Sequence, residues 1–141
     1  MCGSGKSTLG EALRKKYDCN LFHMDDFFLQ QNQRTKERLD EVGGNIDKER
    51  FLEEILIPLK NNEIIRYRKF DCSTMSLSDY LEVTPKKITI IEGAYSLHPE
   101  LSSYYDLSVF LKITPEFQKE RIILRNNSNF VKRFFDGEWS F

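Results

Sequence analysis

Cys2-Gly3-Ser4-Gly5-Lys6-Ser7-Thr8 runs directly into a helical pattern, Leu9-Gly10-Glu11-Ala12-Leu13. The heptapeptide has the character of a phosphate-binding loop, G-x-x-x-x-G-K-[ST]. In such a loop small residues let successive backbone N–H groups curl around a phosphate, the lysine reaches the terminal phosphates and the hydroxyl ligates Mg²⁺. The helix behind it offers unpaired N–H groups and a positive dipole end to the same anion. Gly3, Ser4, Gly5, Lys6, Ser7 and Thr8 are therefore the expected nucleotide-binding residues, with Gly5, Lys6 and Ser7 matching the motif itself. The motif's first glycine, and the strand that ordinarily feeds the loop, would precede Met1. The expectation is a piece of a longer protein. An ordinary capped helix, with Ser4 or Ser7 as N-cap, is the plainer alternative. The density of Gly-Ser-Gly-Lys-Ser-Thr directly before an apolar-periodic helix favours nucleotide binding.

At 141 residues the length is that of one domain with a sizeable core. A composition of 40% hydrophobic and 30% charged residues is that of a soluble globular protein. A net charge of −1 gives no overall pull toward nucleic acid or an anionic membrane. No apolar run approaches a membrane span and no signal peptide precedes the loop, so the expected compartment is the cytoplasm. Cys2, Cys19 and Cys72 stand at unrelated spacings, which argues against a disulfide frame or a metal cluster.

Beyond the first helix, expected over Thr8–Lys16, the run Asn20-Leu21-Phe22-His23-Met24 reads as a buried strand ending on Asp25-Asp26. In open α/β sheets that strand end is where ligands bind. Gln30 to Arg38 reads as polar loop. A helix follows Asn45-Ile46-Asp47, with Phe51, Ile55 and Leu59 on one stripe and Pro58 at a frayed end. Ile64–Phe70 alternates as a strand of a small excursion reaching to Thr84, and Asp71–Ser78 reads as a hydroxyl-rich loop. Lys87–Ile91 is the clearest strand, ending at Glu92-Gly93, and Leu107–Ile113 is a second. Pro115 then opens a helix at its first position. The tail holds Phe130, Phe134, Phe135, Trp139 and Phe141 among charges. Alternating strands and helices imply an α/β fold, a doubly wound parallel sheet with flanking helices whose first strand is missing from this chain.

Phosphoryl transfer needs held phosphates, a divalent cation, charge neutralisation and an oriented nucleophile. Lys6 and the loop amides supply the first. Ser7 and Glu92 are the expected metal ligands, since Mg²⁺ takes few protein oxygens beside water and phosphate. Asp25 is the expected general base; a solvated acidic turn for Asp25-Asp26 and a capping acid for Glu92 are the bland alternatives. Arg121 and Arg125, four apart, share one helix face fit to clamp a transferring phosphate, or else pair with Glu116 and Glu120. Lys132-Arg133 reads as a solvated face. His23, in an apolar run, reads as a satisfied strand residue rather than a ligand, and His98 is isolated.

GSGKST, HMDDFF, GGNIDKERF, RYRKFDCSTMS, ITIIEGAYSLHPEL and FLKITPEFQKERIILRNN follow in that order over nearly the whole chain. Together they resemble the uridine kinase-like family of P-loop nucleoside kinases, with pantothenate kinase and phosphoribulokinase nearest in layout. GSGKST alone also fits shikimate, adenylate or dephospho-coenzyme A kinases. The resemblance implies that Asp25 activates a sugar 5′-hydroxyl and that Glu92 lies near Mg²⁺. It implies that Asp47 holds ribose hydroxyls; capping the next helix is an equal alternative, compatible with the first. Phe70-Asp71 falls where uridine–cytidine kinases carry a Tyr-Asp pair lining the base pocket, and Arg121 and Arg125 fall in a lid segment spanning about 121–133. The chain departs from that pattern in three places. Phe70 replaces the tyrosine, Cys72-Ser73-Thr74-Met75 lacks the pocket histidine, and Arg125 is followed by Asn126 rather than an aspartate.

The expected activity is ATP- and Mg²⁺-dependent phosphorylation of a primary hydroxyl on a small-molecule substrate, a nucleoside first. A kinase for another small alcohol such as pantothenate or a sugar is the alternative within enzymes, and a non-catalytic nucleotide-binding module the alternative outside them. Neither nucleic acid nor membrane is an expected partner, and the sequence allows an oligomer.

Overall fold

The computed structural model describes residues 3–125, without the side chain of Arg125. Cys2, the lid segment beyond Arg125, Lys132-Arg133 and the aromatic tail lie outside the described residues. The chain divides into two compact units, one of Ser7–Ser108 and one formed by the stretch up to Lys6 with the chain from Val109 onward.

In the larger unit, α1 (Lys6–Lys16) starts two residues earlier than the sequence suggests, and its last turn carries Arg14, Lys15 and Lys16. That placement suits the negative end of the helix dipole. The first strand, β1 (Cys19–His23), leads into a 3₁₀ turn, Met24–Asp26, which sets both aspartates just past the strand's C-terminal end. The expected loop at Gln30–Arg38 instead contains a 3₁₀ turn, Gln31–Gln33, and α2 (Lys36–Asp40). Thr35 caps α2 by accepting the Arg38 N–H at 3.2 Å. Capping made this helix, not apolar periodicity, so its period gave no sign of it.

A continuous helical run follows: α3 (Lys48–Phe51), a π turn (Leu52–Leu56) and α4 (Ile57–Asn61). Pro58, expected at a frayed end, lies inside the run. Proline has no N–H to donate and crowds the carbonyl four residues back. The π turn absorbs the defect by shifting the ladder, with the Ile57 N–H donating to Leu52 O five residues back. Asn62, left-handed at φ 56°, ends the run.

The excursion is two short antiparallel ladders. The second strand, β2 (Ile65–Tyr67), pairs with β5 (Leu81–Val83), and β3 (Phe70–Asp71) with β4 (Ser76–Leu77). The single strand expected at Ile64–Phe70 breaks at Arg68-Lys69 because those amides are drawn out of the ladder. Arg68 N donates to Glu54 Oε2 at 2.9 Å and Lys69 N to Ser78 Oγ at 3.0 Å. The last strand, β6 (Ile88–Glu92), runs parallel to β1 in the register Cys19↔Ile88 through His23↔Glu92. A short helix, α5 (Pro99–Ser102), closes the unit's regular structure.

The core packs the C-terminal half of β1 and the turn behind it (Phe22, Met24, Phe27) against Phe51, Ile55 and Leu56 of the long helical run, with Ile46, Ile65, Tyr67 and Leu101. Phe27 meets Phe51 edge-to-face at 4.9 Å between centroids. These contacts fix the aspartate turn from behind.

One expectation is met in its coarser form and another is corrected. Among the described residues the parallel sheet joins β1 and β6, an α/β arrangement of a small parallel sheet with helices. Leu107–Ile113, expected as a strand, has no regular structure and pairs with no strand among the described residues. A β-rich segment becomes a strand only where a neighbour's ladder takes its N–H and C=O groups. In the smaller unit, α6 (Pro115–Arg125) opens on Pro115 as expected, with Thr114 O accepting the Gln118 N–H at 2.9 Å.

Candidate active site

Asp25 and Glu92 stand at the C-terminal ends of adjacent parallel strands. Asp25 is exposed on the 3₁₀ turn, two residues beyond His23, which is in register with Glu92. The two strand ends are pressed together at Gly93, where a Cβ would collide with Met24 Cβ. Only glycine permits that approach, so the residue after Glu92 and the residue before Asp25 meet by design of the sequence.

The helix behind the phosphate loop rests on the same edge. An added Cβ on Gly10 would lie 3.0 Å from Leu21 Cδ1 and 3.7 Å from Glu92 Cγ. Ser7 is three residues before Gly10, hence on the same face of α1. The Ser7 hydroxyl and the Glu92 carboxylate are hard oxygen donors of the kind that suits Mg²⁺. Among the described residues no three His, Cys, Asp or Glu side chains cluster to hold a metal by themselves. A cation there would rely on phosphate and water for its remaining ligands.

In the smaller unit, Gly3 and Gly5 have φ of +71° and +91°, the left-handed backbone that turns consecutive N–H groups toward a common centre. Ser4 is buried and its Oγ accepts from Lys6 Nζ at 3.4 Å. An added Cβ at Gly5 would sit 3.1 Å from Arg121 Nη1, so the Arg121 guanidinium lies against the loop backbone. The same guanidinium is 5.8 Å from the Phe117 ring centroid. Arg125 ends α6 one turn on; its side chain lies outside the described residues.

On the expected substrate side, Asp47 is 3% exposed and caps α3. Its Oδ1 accepts from Arg50 N at 3.1 Å, and its Oδ2 accepts from Arg50 Nε at 3.2 Å and from Gln33 Nε2 at 3.1 Å. The capping role is thus present. Phe70 is buried, edge-on to Phe28, with the Arg34 guanidinium 5.7 Å from its centroid. Asp71 is exposed, its Oδ1 accepting from both Ser73 N and Ser73 Oγ. Those two bonds hold the Asp71 carboxyl below the usual carboxylate range.

Several residues around the site carry no sequence signal. Arg50 is 7% exposed, yet it donates to Arg68 O and Asp26 O and lies 4.5 Å from the Phe27 centroid. It ties the helical run to the aspartate turn. Lys69 meets Asp26 at 2.8 Å, joining the excursion to the same turn. Burial alone would lower the Lys69 pKa, but the bond to Asp26 outweighs it and raises it. A concavity of about 640 Å³ lies at the opposite, N-terminal end of β1, among Arg14, Asn20, Tyr67 and Lys86. Two of its cations are paired, Lys86 with Asp18 at 2.6 Å and Arg14 with Glu11 at 2.8 Å. It offers no reacting group.

No family profile matches the sequence. Solved structures do match. A possible uridine kinase from Bacillus stearothermophilus superposes with a TM-score of 0.68 at 19% identity, over 94% of this chain and 77% of that one. A protein provisionally described as a fructose transport system kinase from Silicibacter sp. TM1040 superposes with a TM-score of 0.71 at 26% identity, over 93% of this chain and 73% of that one. No helix among the described residues is long and apolar enough to cross a membrane. With its phosphate loop and its α/β arrangement, the chain resembles the P-loop kinases in structure.

Proposed function

We propose that this chain transfers the γ-phosphate of ATP to a primary hydroxyl of a small molecule, a nucleoside first among the acceptors. One observation carries it: a phosphate-loop helix resting on a parallel strand pair that ends in two acids, Asp25 and Glu92. The chemistry such a set performs is positional. The loop amides and Lys6 hold the donor phosphates, and Arg121 and Arg125 neutralise charge on the transferring group. Asp25 takes the proton of the acceptor hydroxyl as its oxygen bonds to phosphorus and the bond to the ADP oxygen breaks. Ser7 and Glu92 would hold Mg²⁺, whose chemistry there would be charge neutralisation of the donor phosphates. Asp47, Phe70 and Asp71 line the acceptor side. The whole works as one kinase domain, with the doubly wound sheet of that fold.

A second reading is a kinase for a sugar or another small alcohol. Phe70 where uridine–cytidine kinases have tyrosine, and the likeness to a chain described as a fructose transport system kinase, support it. A pocket that hydrogen-bonds its base loses much discrimination when those groups go.

Asp25→Asn tests the base. It should lower kcat by about 10²-fold or more with ATP affinity little changed. An unchanged kcat would remove Asp25 from that role.

A further inference from the structure

We propose that His23 is a positioning residue for Glu92, pinning one carboxylate oxygen so that the other is presented to the divalent cation of the bound nucleotide. The inference rests on Glu92 being the acid beside that cation. In the parallel pair β1–β6, His23 and Glu92 are in register, and His23 Nδ1 lies 2.5 Å from Glu92 Oε1. That is a short, charge-assisted hydrogen bond. A carboxylate only accepts, so Nδ1 carries the proton that is donated.

The other ring nitrogen, Nε2, lies 3.7 Å from Glu11 Oε1 on α1. Only the Glu92 contact is within hydrogen-bond distance, so the ring is bonded across the strand pair and merely faces α1. Glu92 is 11% exposed at its side chain, and its Cγ faces Gly10, where an added Cβ would come into van der Waals contact at 3.7 Å. A glutamate left to itself loses considerable rotamer entropy on taking one geometry. Here the His23 hydrogen bond supplies part of that ordering before any ligand arrives. Outer partners of this kind orient metal-binding groups and tune their affinity. His23 is satisfied, as its apolar setting suggests, and its partner is a functional acid.

The test is calorimetric binding of ATP with Mn²⁺ and of ATP with excess EDTA, for the wild-type chain and for His23→Gln, His23→Asn and Glu92→Gln. The readout is the gain in ATP affinity that Mn²⁺ confers. Asparagine keeps an N–H donor near the Nδ1 position and should retain that gain. Glutamine fills the space with its donor near Nε2, and should lose the gain by about tenfold with EDTA affinity unchanged. A merely structural role would weaken both affinities together. His23→Gln matching wild type while Glu92→Gln loses the gain would overturn positioning and leave Glu92 standing. Glu92→Gln matching wild type, or no Mn²⁺ gain in wild type, would overturn both. Thermal melts of each variant separate unfolding from these outcomes.

Discussion

Arg50 closes a ring on Asp47, donating its backbone N–H to Oδ1 at 3.1 Å and its Nε to Oδ2 at 3.2 Å. Its remaining donors reach Arg68 O and Asp26 O, so one buried side chain connects helix cap, excursion and aspartate turn. Replacing Arg50 with Met fills much of the volume but strands the nearly buried Asp47 without its charge partner, whereas Glu54 keeps its bonds to Arg68. Leaving a buried charge uncompensated costs about 3–5 kcal/mol. Urea denaturation of Arg50→Met should show a loss of that size; a loss under about 1 kcal/mol would mean the network behaves as a surface pair.

Lys6→Ala should weaken ATP binding with little change in melting temperature. A hydrogen bond to a charged group contributes about 1.5–3 kcal/mol, so titration calorimetry should show a loss of about 10- to 100-fold. Unchanged affinity would remove Lys6 from the phosphates.

Gly5→Ala combines a φ of +91° with the Arg121 guanidinium 3.1 Å from the added methyl. Nucleotide affinity should fall through distortion of the loop. Gly5→Ala/Arg121→Ala should recover only the steric part, since the backbone strain stays. Full recovery in the double variant would show that crowding alone was responsible.

The Arg38–Glu49 pair gives a pH signature. Burial opposes the charge on Glu49, but the hydrogen bonds and charge of Arg38, at 2.6 and 2.8 Å, outweigh it and hold its pKa below the usual value. A folded-state pKa that is depressed stabilises above the unfolded value and stops doing so as pH falls through the folded one. The Glu49 side chain is 56% exposed, so solvent screening limits the effect to about 0.5 kcal/mol or less. The melting-temperature gap between wild type and Glu49→Gln should be constant above about pH 5 and close toward pH 3. A gap that widens in acid would contradict this sign. The same Arg38 donates to Gly44 O and Ile46 O, which shape the turn before Asp47.

What could be read in the sequence was whatever carries its chemistry locally. The phosphate loop is legible because glycine, lysine and hydroxyl are themselves the anion chemistry, and Ile88–Glu92 because β-branched residues run unbroken to an acid. The capping of α3 by Asp47 is legible for the same reason, as its partner is three residues away. Arg50, Gln33, Glu54 and Lys69 were not legible, because each acquires its role from a partner 14 or more residues distant. Leu107–Ile113 marks the converse. Its β propensity is plain, yet a strand is a property of a pair and not of a segment. His23 lies between these cases, since its apolar run signals burial but only the register with β6 reveals Glu92 as its partner.

The most direct measurement is ATP consumption by this chain with Mg²⁺ across a panel of nucleosides, pantothenate and small sugars. Turnover of one acceptor, abolished in Asp25→Asn, is the expected result. Mg²⁺-dependent nucleotide binding with no acceptor turned over would contradict phosphoryl transfer and leave a nucleotide-binding module.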